Sequence, residues 1–396
     1  MKIVAALVSV CLAWSAARAD PLEEALVVRS RGEDGDALAL RSLLGRPAEH
    51  RAQALVRVVE QDGRVRETLS YRADAEYVCP ASAIKLPGAI AALAALRRVP
   101  GAEVDTPLEF DALPPFDPAH RADASLPGGR VTLRGLLRKA LVVSDNEAFN
   151  RFFELAGHQA ANETLWAMGL SSARIAHRLS APRSTDESRA TPAVHAPTLG
   201  AVWPARVSTL RLPPHAQTAW LFGRAHIDPL SNARVEAPMD FAERNGMSLD
   251  DQQRLLAWVV RPDVALGVRA PAGWHDDDRA LVRQVLGENA ATLQGAAFAD
   301  PKHTEARYRP ALSGALRVRP REALEVRSKA GKAYGFVLDN AYYRDTRSGR
   351  AVFVTVVAFS NRDGVMNDGR YDYADVVEPF VRAVGEVAAR RAFDAP

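Results

Sequence analysis

Residues 79–96 read CPASAIKLPGAIAALAAL. A small-residue turn carries Ser82 and, three residues on, Lys85, and a long apolar run follows at once. The run is apolar on every side, which predicts a buried helix entered through Pro80. Three residues apart on a helix, Ser82 and Lys85 share one face and come within hydrogen-bonding reach. A serine hydroxyl is a poor nucleophile until a base takes its proton. A lysine whose pKa is lowered by burial or by a second cation can be that base. The helix N-terminus adds N–H groups and positive potential suited to a developing oxyanion. The plainer reading is a serine cap followed by a solvated lysine.

Lysine usage bears on that choice. The lysines are Lys2, Lys85, Lys139, Lys302, Lys329 and Lys332, and every other basic residue among the 51 is arginine. Where such a chain keeps a lysine, the position can require what arginine cannot provide, a neutral amine near pH 7.

Upstream, AQALVRVVEQDGRVRETLSYR (52–72) alternates around a turn at Gln61-Asp62-Gly63 and predicts a β-hairpin. Residues 20–48 carry helical periodicity. Residues 1–19 have a positive start at Lys2, an apolar core from Ile3 to Trp14 and an Ala17-Arg18-Ala19 cleavage pattern, and read as a signal peptide. This predicts export, with a periplasmic location. No later window is long enough and apolar enough to span a membrane. With residues 1–19 removed, Cys79 is the only cysteine, which excludes an intrachain disulfide and a cysteine zinc site. Cys79 reads as a small buried hydrophobe.

Downstream, residues 99–128 read as surface loop. TLRGLLRKALVVSDNEAFNRFFELAG (132–157) predicts two helices meeting near Ser144, and a short helix follows in AANETLWAMGL (160–170). From about 171 to 247 periodicity fails and a long loop is expected. Helices resume in SLDDQQRLLAWVVRPD (248–263), capped by Ser248, and in DDDRALVRQVLG (276–287). EVRSKAGKAYGFVLDNAYYRD (325–345) and GRAVFVTVVAFSN (349–361) read as strands joined by a hairpin at Ser348-Gly349, before a terminal amphipathic helix. The expected fold class is α/β (α+β). An antiparallel sheet built from both chain ends, 20–80 and 310–396, is flanked by helices, with an all-helical domain over 81–309 inserted.

Two further motifs join Ser82 and Lys85. Ser144-Asp145-Asn146 places a hydroxyl and an amide between two helices, where packing needs neither. Lys329-Ala330-Gly331 sets a lysine and a glycine on a late strand. S-x-x-K, then S-D-N, then K-x-G is the set of class A β-lactamases and penicillin-binding proteins. On these motifs the chain resembles the penicillin-recognising serine hydrolases, and within them the class A β-lactamase-like branch. The resemblance covers residues 50–170 and 320–392. It implies Ser82 as acylated nucleophile and Lys85 as its base or part of its proton relay. By the same resemblance Ser144 would pass a proton to the leaving nitrogen, Asn146 would orient Lys85 and the substrate amide, and Lys329 would supply the electrostatics for an acidic substrate end. Ala330, Gly331 and Lys332 border the substrate, with the N–H groups of Ser82 and Lys332 forming the oxyanion hole.

The chain departs from that pattern twice. K-A-G lacks the hydroxyl that helps bind a substrate carboxylate, for which Arg344 or Arg362 are candidate substitutes. No glutamate followed four residues later by asparagine stands after the second motif, and Glu187 is the nearest candidate for a deacylating base. The resulting expectation is an exported serine hydrolase acting on a β-lactam, with a role in antibiotic resistance. A D,D-peptidase or esterase, or a sensor that traps ligand, is the alternative. A small-molecule or peptide amide partner, a monomer, and no cofactor or metal complete the expectation. The small net charge of +3, without a basic stripe interleaved with aromatics, speaks against a nucleic-acid partner. His275–Asp278 reads as a helix start, and a G-x-S-x-G elbow is absent from the sequence.

Overall fold

The computed structural model describes residues 20–213, 215–216 and 218–394, so the signal-like residues 1–19 lie outside it. Helices α1 (Pro21–Arg29) and α2 (Gly35–Leu44) begin it, capped by the side chains of Asp20 and Asp34. Strands β1 (Gln53–Val59) and β2 (Val65–Tyr71) form the first hairpin. A 3-10 turn (Ala81–Ile84) leads into α3 (Lys85–Leu96), followed by α4 (Leu133–Val142), α5 (Asn146–Ala156) and α6 (His158–Ala167). After a long irregular stretch come α7 (Leu249–Val260) and α8 (Asp276–Gly287). Strands β3 (Leu324–Ala333), β4 (Phe336–Asp345) and β5 (Ala351–Phe359) precede the last helix, α9 (Glu378–Phe393).

The five strands make one antiparallel sheet in the order β3-β4-β5-β1-β2, so the first hairpin docks on the last strand. Side chains alternate across it, as a period of two requires. Val56, Val58, Val337, Ala341, Val352 and Val354 face α1, α2 and α9 in one core. Tyr342 and Phe353 face the helical layer, whose core is built on α3, α4 and α5. Asp339 falls in the phase of Val337 and Ala341, which turns a carboxyl into the α9 side of the sheet, fully buried. All twelve residues of α3 are buried. Leu86, Ile90, Leu93 and Leu96 each contribute about 1.5–3 kcal/mol by leaving water, and they anchor the helix whose first residue, Lys85, is buried with them.

Two local expectations are corrected. The stretch 325–345 is not one strand: Tyr334 and Gly335 both adopt positive φ (53° and 84°) and reverse the chain between β3 and β4. This is the two-residue turn whose twist suits a hairpin. Residues 171–247 are not featureless loop. They fold into short ladders, Val194–Ala196 with Ala201–Trp203 and Ala225–Ile227 with Arg234–Val235 among them. Each strand has only two or three residues, too few to show alternation. At the start of α8, Asp278 stands in an acidic first turn, as the helix-start reading of His275–Asp278 expects. It is buried and receives two hydrogen bonds from Arg97, at 2.7 and 2.8 Å. No helix among the described residues is long and apolar enough to cross a membrane.

Candidate active site

Ser82 sits in the 3-10 turn ahead of α3, half-exposed while its neighbours are buried. Ala81 before it has φ of 46°, so the turn lifts the serine out of the helix line. Lys85 is the first residue of α3 and is fully buried. Its Nζ lies 2.8 Å from Ser82 Oγ, 2.7 Å from Asn146 Oδ1 and 3.1 Å from Ser144 Oγ, and it also donates to the Ser144 carbonyl. Burial pushes its ammonium well below the ordinary lysine range, the charge of Lys329 pushes it further, and Asp145 offsets part of this.

The second motif owes its shape to the junction of two helices. α4 ends at Val142, Ser144 takes φ of 60°, and Asp145 caps α5 by accepting from Ala148 N at 2.8 Å. That sequence of a left-handed residue and an N-cap turns the Ser144 carbonyl and hydroxyl toward Lys85. Asn146, first residue of α5, follows with its amide oxygen on the same nitrogen.

The third motif lies on β3, the sheet edge nearest the Ser82 turn. Lys329 is 2% exposed and donates to Ser144 Oγ at 3.0 Å and to the Ala330 carbonyl at 3.0 Å. Burial lowers its pKa to about 7. Gly331 lies against the turn so closely that a Cβ there would stand 2.3 Å from Pro80 O and 2.7 Å from Ser82 N. Both atoms are backbone, so the strand can approach the serine this closely only as glycine. The Lys332 side chain turns away, donating to Glu378 at 2.6 Å and covering the Tyr373 ring.

Ser82, Lys85, Ser144, Asn146 and Lys329 therefore form one hydrogen-bonded cluster, although 185 residues separate Ser144 from Lys329. Glu187 is not part of it. Its carboxylate accepts from the backbone and hydroxyl of Ser184, closing a capping box on an exposed one-turn helix. Arg344 and Arg362 do not face Ala330 either: the former stands 3.6 Å from Glu325, the latter 3.7 Å from Asp372. Ala330 instead pairs across the ladder with Asp339, whose burial raises its pKa to about 7. One Asp339 oxygen accepts from Ala311 N, and the other has no hydrogen-bond partner among the described residues.

The residue that sequence reasoning missed is Ser180, whose Oγ accepts from Asn146 Nδ2 at 2.7 Å. No local pattern marks it, since it reaches the cluster only through the packing of residues 178–183 on α5. Among the described residues, no group of three His, Cys, Asp or Glu side chains is placed to hold a metal ion.

Residues 40–246, more than half of the chain, match the model of the beta-lactamase enzyme family. A beta-lactamase from Desulfarculus baarsii superposes with a TM-score of 0.50 at 18% identity, covering 91% of this chain and 98% of its own. Another from Sphaerobacter thermophilus gives 0.49 at 15% identity, covering 91% and 98%. At 18% identity the first of these likenesses is one of fold. No curated protein matches the chain.

Proposed function

Because the chain belongs to the beta-lactamase enzyme family, we propose that it is a serine hydrolase that opens an amide or lactam bond through an acyl-enzyme on Ser82. The observation that carries this reading is the 2.8 Å approach of a buried, proton-poor Lys85 to the Ser82 hydroxyl. Neutral Lys85 takes the hydroxyl proton as Ser82 Oγ attacks the carbonyl carbon. The N–H groups of Ser82 and Lys332 receive the oxyanion. As the C–N bond breaks, the proton returns through Ser144, which touches both lysines, to the leaving nitrogen. Lys329 holds positive charge beside the substrate's acidic end, and Asn146 orients Lys85. The substrate of first choice is a β-lactam.

Incubation with a fluorescent penicillin and with a fluorophosphonate tests the reading. Intact mass should rise by one adduct, mapped to Ser82 and lost in Ser82→Ala. No adduct with either probe would sink it. One observation favours a second reading, a D,D-peptidase, an esterase or a penicillin-trapping relative. Among the described residues no carboxylate is hydrogen-bonded to Ser82, Lys85, Ser144 or Lys329. Steady turnover of nitrocefin supports a lactamase, turnover of a D-Ala-D-Ala peptide the peptidase, and a stoichiometric burst the trap. We further propose a monomer exported after cleavage behind Ala19, which the N-terminal mass of the cell-derived protein and its sedimentation would check.

A further inference from the structure

Among the described residues, Ser180 is the one side chain outside the three motifs that is hydrogen-bonded to the cluster, through Asn146 Nδ2. The backbone that carries it is held on both sides. Arg178, 1% exposed, bonds Glu154 at 3.0 Å and lies over the Phe153 ring. Arg183, 2% exposed, pairs with Asp117 and lies over the Phe116 ring. Between them Leu179 exchanges two hydrogen bonds with the Asn150 side chain, at 2.8 and 3.1 Å. Ser180 itself is exposed at the rim with φ of 51°, an uncommon conformation for a serine, which the surrounding contacts impose.

A neutral amine has two N–H donors and one lone pair. At Lys85 the Ser144 carbonyl and the Asn146 amide oxygen can only accept, so they take the two N–H groups. The lone pair is then left for a hydroxyl, and Ser82 Oγ at 2.8 Å is nearer than Ser144 Oγ at 3.1 Å. This holds only while Asn146 presents its oxygen. An asparagine amide can turn over, and which end faces Lys85 depends on what the other end finds. Turned over, its NH2 would donate to the lone pair and occupy the base.

We propose that Ser180 is a positioning residue: by accepting from the Asn146 amide nitrogen it fixes the amide oxygen on Lys85 and keeps the lysine lone pair aimed at Ser82. The inference rests on reading Ser82 as nucleophile and Lys85 as its base. The charged groups that face Lys85 are Lys329 of β3 and Asp145 at the start of α5. Lys139 of α4 is occupied by Asp123 at 2.6 Å and reaches Asp145 at 3.8 Å.

The experiment compares the full chain with its Ser180→Ala, Ser180→Gly and Ser180→Asn variants, after circular dichroism and melting establish that each is folded. Lys85 is titrated by NMR in lysine-labelled protein, with Lys85→Ala for assignment. Acylation by a fluorescent penicillin or a fluorophosphonate is followed across pH. In Ser180→Ala and Ser180→Gly, Lys85 should titrate lower than in wild type, because the turned amide stabilises the neutral amine. The acylation plateau should fall about tenfold, the worth of one hydrogen bond. Ser180→Asn, which can accept and tolerates positive φ, should restore both. A Ser180→Gly protein that titrates and acylates like wild type would overturn the proposal, since glycine keeps the backbone and loses only the hydroxyl. If wild type forms no adduct while Ser180→Ala still moves the Lys85 titration, the hydrolase reading fails and the positioning contact stands. If the titration is unmoved while wild type acylates, the positioning role fails alone.

Discussion

Lys85 and Lys329 reach the same oxygen: the Ser144 hydroxyl stands 3.1 Å from one ammonium nitrogen and 3.0 Å from the other. Two buried cations so placed cannot both keep their protons near neutral pH without cost. Lys329→Met removes the charge that helps depress Lys85. The Lys85 pKa should then rise and the acid limb of acylation should move to higher pH. The plateau should fall by about 10²–10³, the usual cost of losing an electrostatic contact to the developing charge. A pH–rate profile with a fluorescent penicillin measures both.

Gly331 should tolerate no side chain. Gly331→Ala puts a methyl against Pro80 O and Ser82 N, and separating β3 from the turn should cost about 1–3 kcal/mol, as other overpacked sites do. Urea unfolding would show that loss. The rate of acylation should fall more steeply than stability, because the Lys332 N–H moves away from Ser82 with the strand.

Lys329 of the third motif and Asp339, across the ladder from that motif's Ala330, impose opposite pH slopes on stability. Asp339 ionises at 3.8 when unfolded and at about 7 when folded. Between those values the folded chain binds the extra proton, so its share of stability is full below about pH 4 and is lost as pH rises to about 7. Lys329 falls from 10.5 unfolded to about 7 folded. There the unfolded chain binds the extra proton, so stability rises with pH over that window. Asp339→Asn should flatten the change in urea midpoint between pH 4 and 7, and Lys329→Met the change above pH 7. Unchanged slopes in both variants would contradict the burial of these groups.

The buried ion cluster behind Ser180 should be costly to break. Glu154 is fully buried against Arg151 at 2.8 Å and Arg178 at 3.0 Å. Glu154→Gln keeps the shape but leaves two buried arginines short of charge, which should cost about 3–5 kcal/mol in urea unfolding. Hydrogen exchange at residues 178–183 should rise with it.

Glu187→Gln is expected to leave both formation and loss of the acyl-enzyme unchanged, because that carboxylate serves Ser184 on an exposed turn. A drop in the deacylation rate measured by stopped flow would return Glu187 to the reaction.

Much of this arrangement was legible in residues alone, and the limits have physical reasons. Ser82 and Lys85 are three apart on one helix, so local geometry brings them together. The hairpin at Gln61–Gly63 and the apolar run of α3 follow from period and turn chemistry, which act within a few residues. The turn at Tyr334-Gly335 lacks the Asn-Gly or Asp-Gly pair that marks a two-residue hairpin turn, and only two positive φ angles divide the strands. Ser180 was invisible because its partner lies 34 residues away and a serine between two arginines has no chemical signature of its own. Glu187 drew attention for being acidic, yet acidity counts only where a carboxylate faces the reacting atoms. Asp339 in the apolar phase of β4 was readable as an anomaly, but its depth depends on α9 and Ala311, elements distant in sequence.

The sheet order has a consequence for when this protein can begin to work. Strand β1 finds its inner neighbour only in β5, about three quarters of the chain length later (Val56 lies opposite Val354), and Lys329 belongs to the same late group of strands. A growing or truncated chain can carry Ser82, Lys85, Ser144 and Asn146 and still lack the second ammonium and the glycine edge of the cleft. If Ser82 is the nucleophile proposed above, a probe that labels it should count only chains in which β1 has met β5 and Lys329 has joined the cluster.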